Sequence, residues 1–568
     1  MSKRYGWKIG TLLRQVPLFA LTLLATAPAY AQAPAGRPAE AGRIEQRFEP
    51  ETNPEKPKAS PVVPAVPEPA PLSGPGGTFN LAAVDIEGAT AYSADELAAI
   101  YQPFLARTTD LAGVQQLLDK ITNKYRDDGY FLSRAEAMPQ DLQLGVLHVK
   151  VVEGFIDTVS FEGIDAKDQT LLKAMAAPIT DERPARLSTL ERHLMLMQDL
   201  PGITVAPKLA ARDDAAGAYG LVVEVTQRRV EASLHLDNHG SSQVGPLQQY
   251  GTVALDGVLG EGTRTRSTVA LTPANPRELN YVQLAHDIPL RTEGTRLILD
   301  ASFAKVRSAG SPAMADVKTE SFFAHAILSH PLARSRQQTL TLAGQFDVES
   351  VQQLQPSVFA YHDQLRVLRL GLTEQLNDDF GGSNLLSVQV SHGLDTLGAS
   401  GANDPNVSRA GGRADFTKVV LNGVRRQAIG SLWAVQLSAQ MQRSATPLLL
   451  TEQMGIGGDR FGRGFDPSAI TGDDGAAGAS ELQFSQSLSN EIVPWYQLFA
   501  FFDAGETYFH SVNASGRQSL AATGGGVRLR LGTHLSGEVM VAVPVAQDVV
   551  PGNARKGNSF YFSLNADL

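Results

Sequence analysis

No cysteine occurs anywhere in the 568 residues. Disulfides, Cys-ligated zinc, iron–sulfur clusters, thiol catalysis and a lipid anchor on an N-terminal cysteine are excluded together. A basic excess is lacking too: the net charge is −10 and the pI is near 5.6, whereas a nucleic-acid partner asks for a positive face. No nucleic acid is expected as a partner. Past the first thirty residues there is no long uninterrupted apolar run, and mean hydropathy is −0.11. Any membrane-spanning part of the mature chain must therefore be made of strands, whose alternating residues look soluble by composition. Catalytic signatures are missing as well. There is no G-x-S-x-G elbow, no P-loop and no H-E-x-x-H, so neither an enzyme nor a cofactor is expected.

What is present begins with a three-part N-terminus. Lys3, Arg4, Lys8 and Arg14 precede an apolar stretch from Val16 to Ala27, and Ala29 and Ala31 flank Tyr30. This is the form of a signal peptide over residues 1–31, too short for the ~20 residues of a spanning helix. Residues 32–78 are dominated by Pro, Ala, Glu and Gly and read as an extended linker. Within it, Ala39 to Glu51 carries Ile44 and Phe48 four apart, on one face of a short helix if one forms. Periodicity alone leaves tether and helix both open, with tether the plainer reading.

Residues 79–154 and 155–229 read as two copies of a β-α-α-β-β unit. In the first, the strand FNLAAVDIEG precedes Ser93 and Glu96, a capping-box pair, and a second helix carries Leu111, Val114, Leu118, Ile121 and Tyr125. In the second, IDTVSFEG is followed by a helix expected to start at Ser188, with Glu191 three later, and by the strand YGLVVEVTQ. Tandem copies suit a binding array better than an enzyme pocket.

From residue 230 to 568 the period becomes two. Leu340, Leu342, Gly344, Phe346 and Val348 alternate with polar neighbours, as do Trp433, Val435, Leu437, Ala439 and Met441. The polar faces are rich in Gln, Ser, Thr and Ala rather than Lys and Glu, which suits a lumen better than bulk solvent. Some 340 residues at roughly twenty per strand and connection predict about sixteen strands. The final segment, with Phe560, Phe562, Leu564, Ala566 and Leu568 on one face, would close the wall against the first strand and remove both edges. The fold class expected is a transmembrane antiparallel β-barrel behind two small α+β domains.

Three stretches make the chain resemble the two-partner secretion outer-membrane transporters, the haemolysin-activator and filamentous-haemagglutinin transporter (TpsB) type of the Omp85 superfamily. YRDDGYFLSRAEAMPQDLQLGVLHVKVVEG (125–154) is similar to their first POTRA domain, through Gly129, Tyr130, Pro139, Gln140 and Gly154. GIGGDRFGRGFDPS (455–468) resembles the tip of their long extracellular loop, placed here at about 455–480, with Gly462, Arg463, Gly464 and Phe465. FAFFDAGETY (499–508) is similar to their strand motif, through Asp503 and Gly505. Asp503 falls on the polar face of its strand, so a tucked-in Arg463 could supply the bidentate partner that a lumenal carboxylate needs. Glu538 is a second candidate acid. The resemblance further implies that residues 39–51 form a plug helix in the pore, through Ile44 and Phe48. Its implied partners are a secreted TpsA-type exoprotein, outer-membrane lipid and the barrel assembly machinery, and its implied location is a Gram-negative outer membrane with the POTRA domains in the periplasm. An assembly factor of the same superfamily is the alternative. Ending on Leu568 departs from the terminal aromatic common in such barrels.

The remaining candidates read as structure. GVLGEG (257–262) is a hairpin turn, GGG (524–526) a strand entry, TGDDG (471–475) a solvated loop rather than a calcium site, and His235 and His239 are two lumenal histidines with no third metal ligand nearby. No metal site is expected.

Overall fold

The computed structural model describes residues 43–48, 72, 77–138, 140, 144–212, 217–241, 244–308, 317–355, 358–510, 516–548 and 557–568. The expected signal peptide, most of the linker and Pro139 lie outside them. A one-turn helix, α1 (Glu45–Phe48), is the described part of the segment expected as a plug.

The first module contains β1 (Phe79–Leu81), β2 (Ala83–Glu87), α2 (Ala94–Tyr101), β3 (Arg107–Thr109), α3 (Leu111–Asp127), β4 (Arg134–Ala137) and β5 (Val146–Val152). Its main sheet runs β2–β5–β4. Helix α2 starts on the capping box: the Ser93 hydroxyl accepts from the Glu96 N–H, and the Glu96 carboxylate accepts from the Ser93 N–H at 2.9 Å. One face of α3, with Val114, Leu117, Leu118, Ile121 and Tyr125, buries against Leu147, Val149 and Val151 of β5. Each such side chain contributes about 1.5–3 kcal/mol on leaving water.

The second module comprises β6 (Phe155–Glu162), α4 (Thr170–Asp181), α5 (Leu187–Gln198), β7 (Ile203–Ala211) and β8 (Ala218–Gln227), with sheet order β6–β8–β7. Its second helix corrects the expected start. Helix α5 begins at Leu187 with Arg186 at the cap and no capping side chain. The Leu187 N–H is satisfied instead by the Gly129 carbonyl of the first module at 2.8 Å, so Ser188 has no cap to form.

Sixteen strands then form a closed antiparallel barrel. They are β9 (Val230–Asp237), β10 (Gln248–Asp256), β11 (Arg264–Leu271), β12 (Leu279–Pro289), β13 (Arg296–Ser308), β14 (Val317–Arg334), β15 (Gln338–Gln355), β16 (Val358–Asn377), β17 (Gly382–Gly393), β18 (Thr417–Ile429) and β19 (Trp433–Ser444). A small hairpin, β20 (Met454–Ile456) and β21 (Ile470–Gly472), lies within the following loop. The wall resumes with β22 (Asp474–Ser487), β23 (Trp495–Tyr508), β24 (Arg517–Leu531), β25 (Leu535–Asp548) and β26 (Ser559–Asp567). Strand β26 pairs with β9 from Ser563 opposite Asp237 to Asp567 opposite Ser233 and closes the wall.

Alternation sorts the faces. Leu284 and Leu370 are 57% and 58% exposed on the outside, whereas Gln283, Ser302 and Thr268 are buried inside. An apolar belt of that kind suits lipid and no aqueous surface. The inner face departs from the uncharged lining expected: Asp347, Glu349, Lys418, Glu481 and Asp503 are all buried within it. GGG (524–526) is another correction. It lies mid-strand in β24, where a Cβ on Gly524 or Gly526 would come within 2.8 Å of the Phe501 or Phe499 ring of β23.

The second module is docked on the periplasmic turns. The Arg334 guanidinium grips Asp199 with two bonds (2.8 and 2.9 Å), Arg336 reaches Glu191 at 2.9 Å, and Arg229 reaches Asp168 at 2.6 Å. GVLGEG forms the β10–β11 turn, where Gly262 lies against Leu171 and Leu200, leaving no room for a side chain.

Candidate functional site: the lumenal loop and its anchors

The connection from β19 to β22 spans residues 445–473, and 474–480, expected within the loop, belong to strand β22. Its tip folds back to the inner wall. Gly462 and Gly464 have φ of +82° and +145°, which side chains rarely adopt, and they present Arg463 between them. Arg463 donates from Nε to Asp503 Oδ2 at 3.0 Å and from Nη2 to Oδ1 at 2.9 Å; its backbone N–H also reaches Oδ2 at 3.0 Å. Asp503 is wholly buried and Arg463 nearly so. The guanidinium carbon lies 3.7 Å from the centroid of the Phe501 ring, so the cation is held by an aromatic face as well as by carboxylates.

The second acid that meets Arg463 is Glu481 on β22, bonded to Nη1. Glu538 is one step removed. It accepts from Arg528 Nε at 2.6 Å, and Arg528 in turn donates to Glu481 at 2.6 Å and covers Phe499 at 4.0 Å. Two arginines and three carboxylates thus form one ladder across β22–β25. Gly505 serves the loop differently: a Cβ there would meet Ile456 of β20 at 2.8 Å, so its absence lets the hairpin lie against the wall. Phe465 is 1% exposed and packs with Met454, Ile456, Phe461, Ile470 and Leu520.

A second anchor was not singled out from sequence. Glu452, at the loop's start, accepts from Arg369 Nη2 of β16 at 2.7 Å and pairs with Lys418 of β18 at 2.6 Å. Arg369 also binds Glu349 and Asp347 of β15. The available signal was a lumenal-face cation on each of two strands, Arg369 beside Asp363 on β16 and Lys418 beside Arg426 on β18. TGDDG also departs from the solvated loop expected. Asp473 is 0% exposed and accepts from Arg409 and from the Leu448 and His510 N–H groups, while Asp474 accepts from the Ser444 N–H. Positive and N–H partners from three other segments make burial of the acid pair affordable.

Helix α1 lies inside the barrel on the strands away from Asp503. Ile44 is 1% exposed among Val244, Ala270, Leu279 and Tyr281, and the Phe48 ring packs on Tyr250 and Tyr281 at 5.5 and 4.6 Å. Arg47 donates to Asp237 at 2.7 Å and to the His239 carbonyl at 3.0 Å. His235 stacks on Tyr250 and lies 3.2 Å from Asp237, whereas His239 pairs with Asp459 of the loop tip. The two histidines therefore have separate carboxylate partners and do not converge on a common ligand.

In the first module Gly129, at φ +91°, ends α3, and Tyr130 packs edge-on against Tyr92 and Tyr125. Gln140 pairs its amide with both backbone groups of His148 at 2.7 Å, acting as a surrogate strand partner. Gly154 leaves the room that Leu132 occupies. The residue that sequence reasoning passed over is Glu153, which accepts from the Tyr125 hydroxyl at 2.7 Å and from the Thr90 and Ala91 N–H groups at 2.7 and 2.8 Å. Burial works to raise its pKa, but these bonds outweigh it and hold the carboxyl below its usual range.

Residues 79–154 match the family model for a POTRA domain of ShlB type, and residues 221–529 match that for haemolysin secretion/activation protein ShlB/FhaC/HecB. The outer membrane transporter CdiB of Escherichia coli is 24% identical over 488 residues, which cover 83% of this chain and 79% of CdiB. The heme/hemopexin transporter protein HuxB of Haemophilus influenzae is 20% identical and covered over 83% of both chains. The solved structure of CdiB from Escherichia coli superposes with a TM-score of 0.71 at 20% identity, covering 90% of this chain and 94% of that one; CdiB from Acinetobacter baumannii gives 0.60 at 15%, covering 92% and 96%. The barrel lies in the outer membrane of a Gram-negative bacterium, with the POTRA domains in the periplasm. With more than half its length matched by one family model, the chain belongs to the haemolysin secretion/activation protein family ShlB/FhaC/HecB, the two-partner secretion transporters of the Omp85 superfamily.

Proposed function

We propose that this transporter recognises a large β-helical exoprotein of haemolysin or adhesin type and threads it, unfolded, through the barrel without nucleotide hydrolysis. The observation that carries this reading is the Arg463 tip, held inside the lumen by Asp503 and Glu481. Polar latches of this kind can exchange protein partners for water or substrate groups, so a lumenal loop can give way to a passing chain. Helix α1, held by Ile44 and Phe48 on one face and by ion pairs on the other, acts as a plug that leaves first. The exoprotein enters by adding a strand to an open edge of a POTRA sheet; β2 and β4 are the edges of the main sheet of the first domain. Folding outside the cell supplies the drive.

In this reading residues 79–154 and 155–229 dock substrate, 230–568 form the pore, and Gly129, Tyr130, Gln140 and Gly154 hold the first docking domain in shape. The test is co-expression with a candidate β-helical exoprotein from the same genome. Release into the medium stops when residues 79–228 are deleted, with the barrel still inserted; continued release refutes docking on the POTRA domains. General loss of outer-membrane barrels in a deletion strain would point to an assembly factor instead.

A further inference from the structure

The geometry points to a divalent transition-metal site of zinc class inside the barrel, formed by Glu45 of α1, Asp300 of β13 and His325 of β14. One ligand atom from each lies within 4.8 Å of the others. Asp300 and His325 are direct cross-strand partners on the lumenal face, so the wall presents them side by side. Glu45 approaches from the N-terminal segment, its Oε1 3.2 Å from His325 Nε2. That separation matches the edge, about 3.3 Å, of a tetrahedron whose centre lies ~2.0 Å from each ligand.

Two independent observations favour a metal over a plain hydrogen bond. The first is the far side of the imidazole. His325 Nδ1 lies 2.8 Å from Asp347 Oδ1, and Asp347 is the cross-strand partner of His325 on β15. A carboxylate on Nδ1 holds that nitrogen as the proton donor, so Nε2 is the nitrogen that ligates when His325 is neutral, and its basicity is raised, the support that metal-ligating histidines commonly have. The second is charge. Asp347 is already met by Arg369, so the carboxylates of Glu45 and Asp300 face one imidazole, with Arg266 acting on Asp300 from the neighbouring wall. The Gln283 amide reaches Asp300 at 2.9 Å and the Ser302 hydroxyl reaches Glu45 at 2.8 Å, and neither carries charge. A divalent cation balances both carboxylates with His325 neutral, and a nitrogen-plus-oxygen donor set selects zinc, manganese, iron or nickel over calcium. A solvent molecule completes the shell.

Because one ligand comes from α1 and two from the wall, the ion fastens the N-terminal segment inside the lumen; this consequence, unlike the site, rests on the plug reading above. Its ligands sit at positions 45, 300 and 325, a spacing that no local motif would reveal.

Zinc chloride is the probe, on full-length protein in detergent without a histidine tag. Zinc uptake is read by competition with a fluorescent chelator and by elemental analysis after dialysis. One equivalent is expected to bind wild-type protein. Glu45→Gln, which alters only the N-terminal segment and leaves the barrel wall intact, weakens binding at least tenfold. His325→Ala weakens it at least a hundredfold, and Asp347→Asn weakens it 10- to 100-fold. Heat-modifiable gel mobility checks that each barrel is folded. No zinc, manganese or nickel uptake by wild type at micromolar concentration overturns the site, as does equal uptake by Glu45→Gln and His325→Ala. Bilayer conductance separates the two claims. Zinc that lowers conductance of wild type but not of Glu45→Gln supports a fastened plug; zinc that binds with ligand dependence yet leaves conductance unchanged refutes the plug and upholds the site.

Discussion

Replacing Arg463 by alanine should release the loop tip while leaving the barrel standing. The side chain makes two charge-assisted bonds to Asp503 and one to Glu481, and it covers Phe501. Glu481 keeps Arg528, so its loss is partial. Asp503, 0% exposed, retains only the backbone N–H of residue 463 from this set. Removing one partner of a buried pair costs about 3–5 kcal/mol, because the remaining charge is stranded. At 1.4 kcal/mol per tenfold, the docked-to-released ratio of the tip falls by roughly two to three and a half decades. Hydrogen exchange followed by mass spectrometry over residues 455–468 reads this directly: protection should drop at least a hundredfold in Arg463→Ala, while β12–β15 peptides keep theirs. Arg463→Ala combined with Asp503→Asn should recover part of the loss, since the stranded charge is then gone. Unchanged protection in the single variant would refute the latch.

Three further outcomes are expected. Glu153→Ala strands the buried Tyr125 hydroxyl and the part-buried Ala91 N–H, while the exposed Thr90 N–H turns to water, which should destabilise the first POTRA domain by about 2–3 kcal/mol, at 1–3 for a buried group left unpaired and less for the part-buried one; limited proteolysis between residues 79 and 154 checks it. Burial pushes the His193 imidazole below its usual range, and its Nδ1 has no hydrogen-bond partner among the described residues. With the folded pKa under the unfolded 6.5, the unfolded state takes up the proton first, so stability is full above pH 6.5 and falls below it, by at most about 1.4 kcal/mol per pH unit. Exchange protection over residues 170–198, corrected for intrinsic rates, should fall from pH 7.5 to 5.5 and stay level in His193→Gln. Gly524→Val drives a side chain into the Val541 carbonyl and the Phe501 ring, so the heat-modifiable folded band should largely disappear on gels.

Much of this was legible because the bilayer imposes a strict pattern. Period-two alternation from residue 230 onward, with small polar residues on the lumenal side, identified the wall and its closure by β26. The Arg463–Asp503 contact was readable because glycines flank the arginine and alternation assigns the aspartate a face. Glu481 was not: it is one acid on a Gln- and Ser-rich face, and only the fold brings it to a guanidinium 18 residues away. Glu452 and Arg369, 83 residues apart, share no pattern at all. GGG was misread as a strand entry because the ring contacts that require small residues come from the neighbouring strand. Helix α4 was expected from the repeated unit but given no residues, because Pro178 blurs its pattern, although Leu172, Met175 and Ile179 keep one buried face.

The placement of the second module divides the cylinder's labour. Its ties go to the start of β9 and to the turns joining β10 to β11 and β14 to β15, on the arc from β9 to β14 that also carries α1. The loop is moored to the other arc, at β16, β18, β22 and β23. The periplasmic ties therefore fall on the half of the wall that cradles the N-terminal segment. The two halves are joined by the continuous β14–β15–β16 and β26–β9 ladders of the wall, and by the lumenal ion pairs of Asp347 with Arg369 and His239 with Asp459. The N-terminal segment and the loop thus hang from different sides of one wall, and the second periplasmic module is tied beneath the first of them.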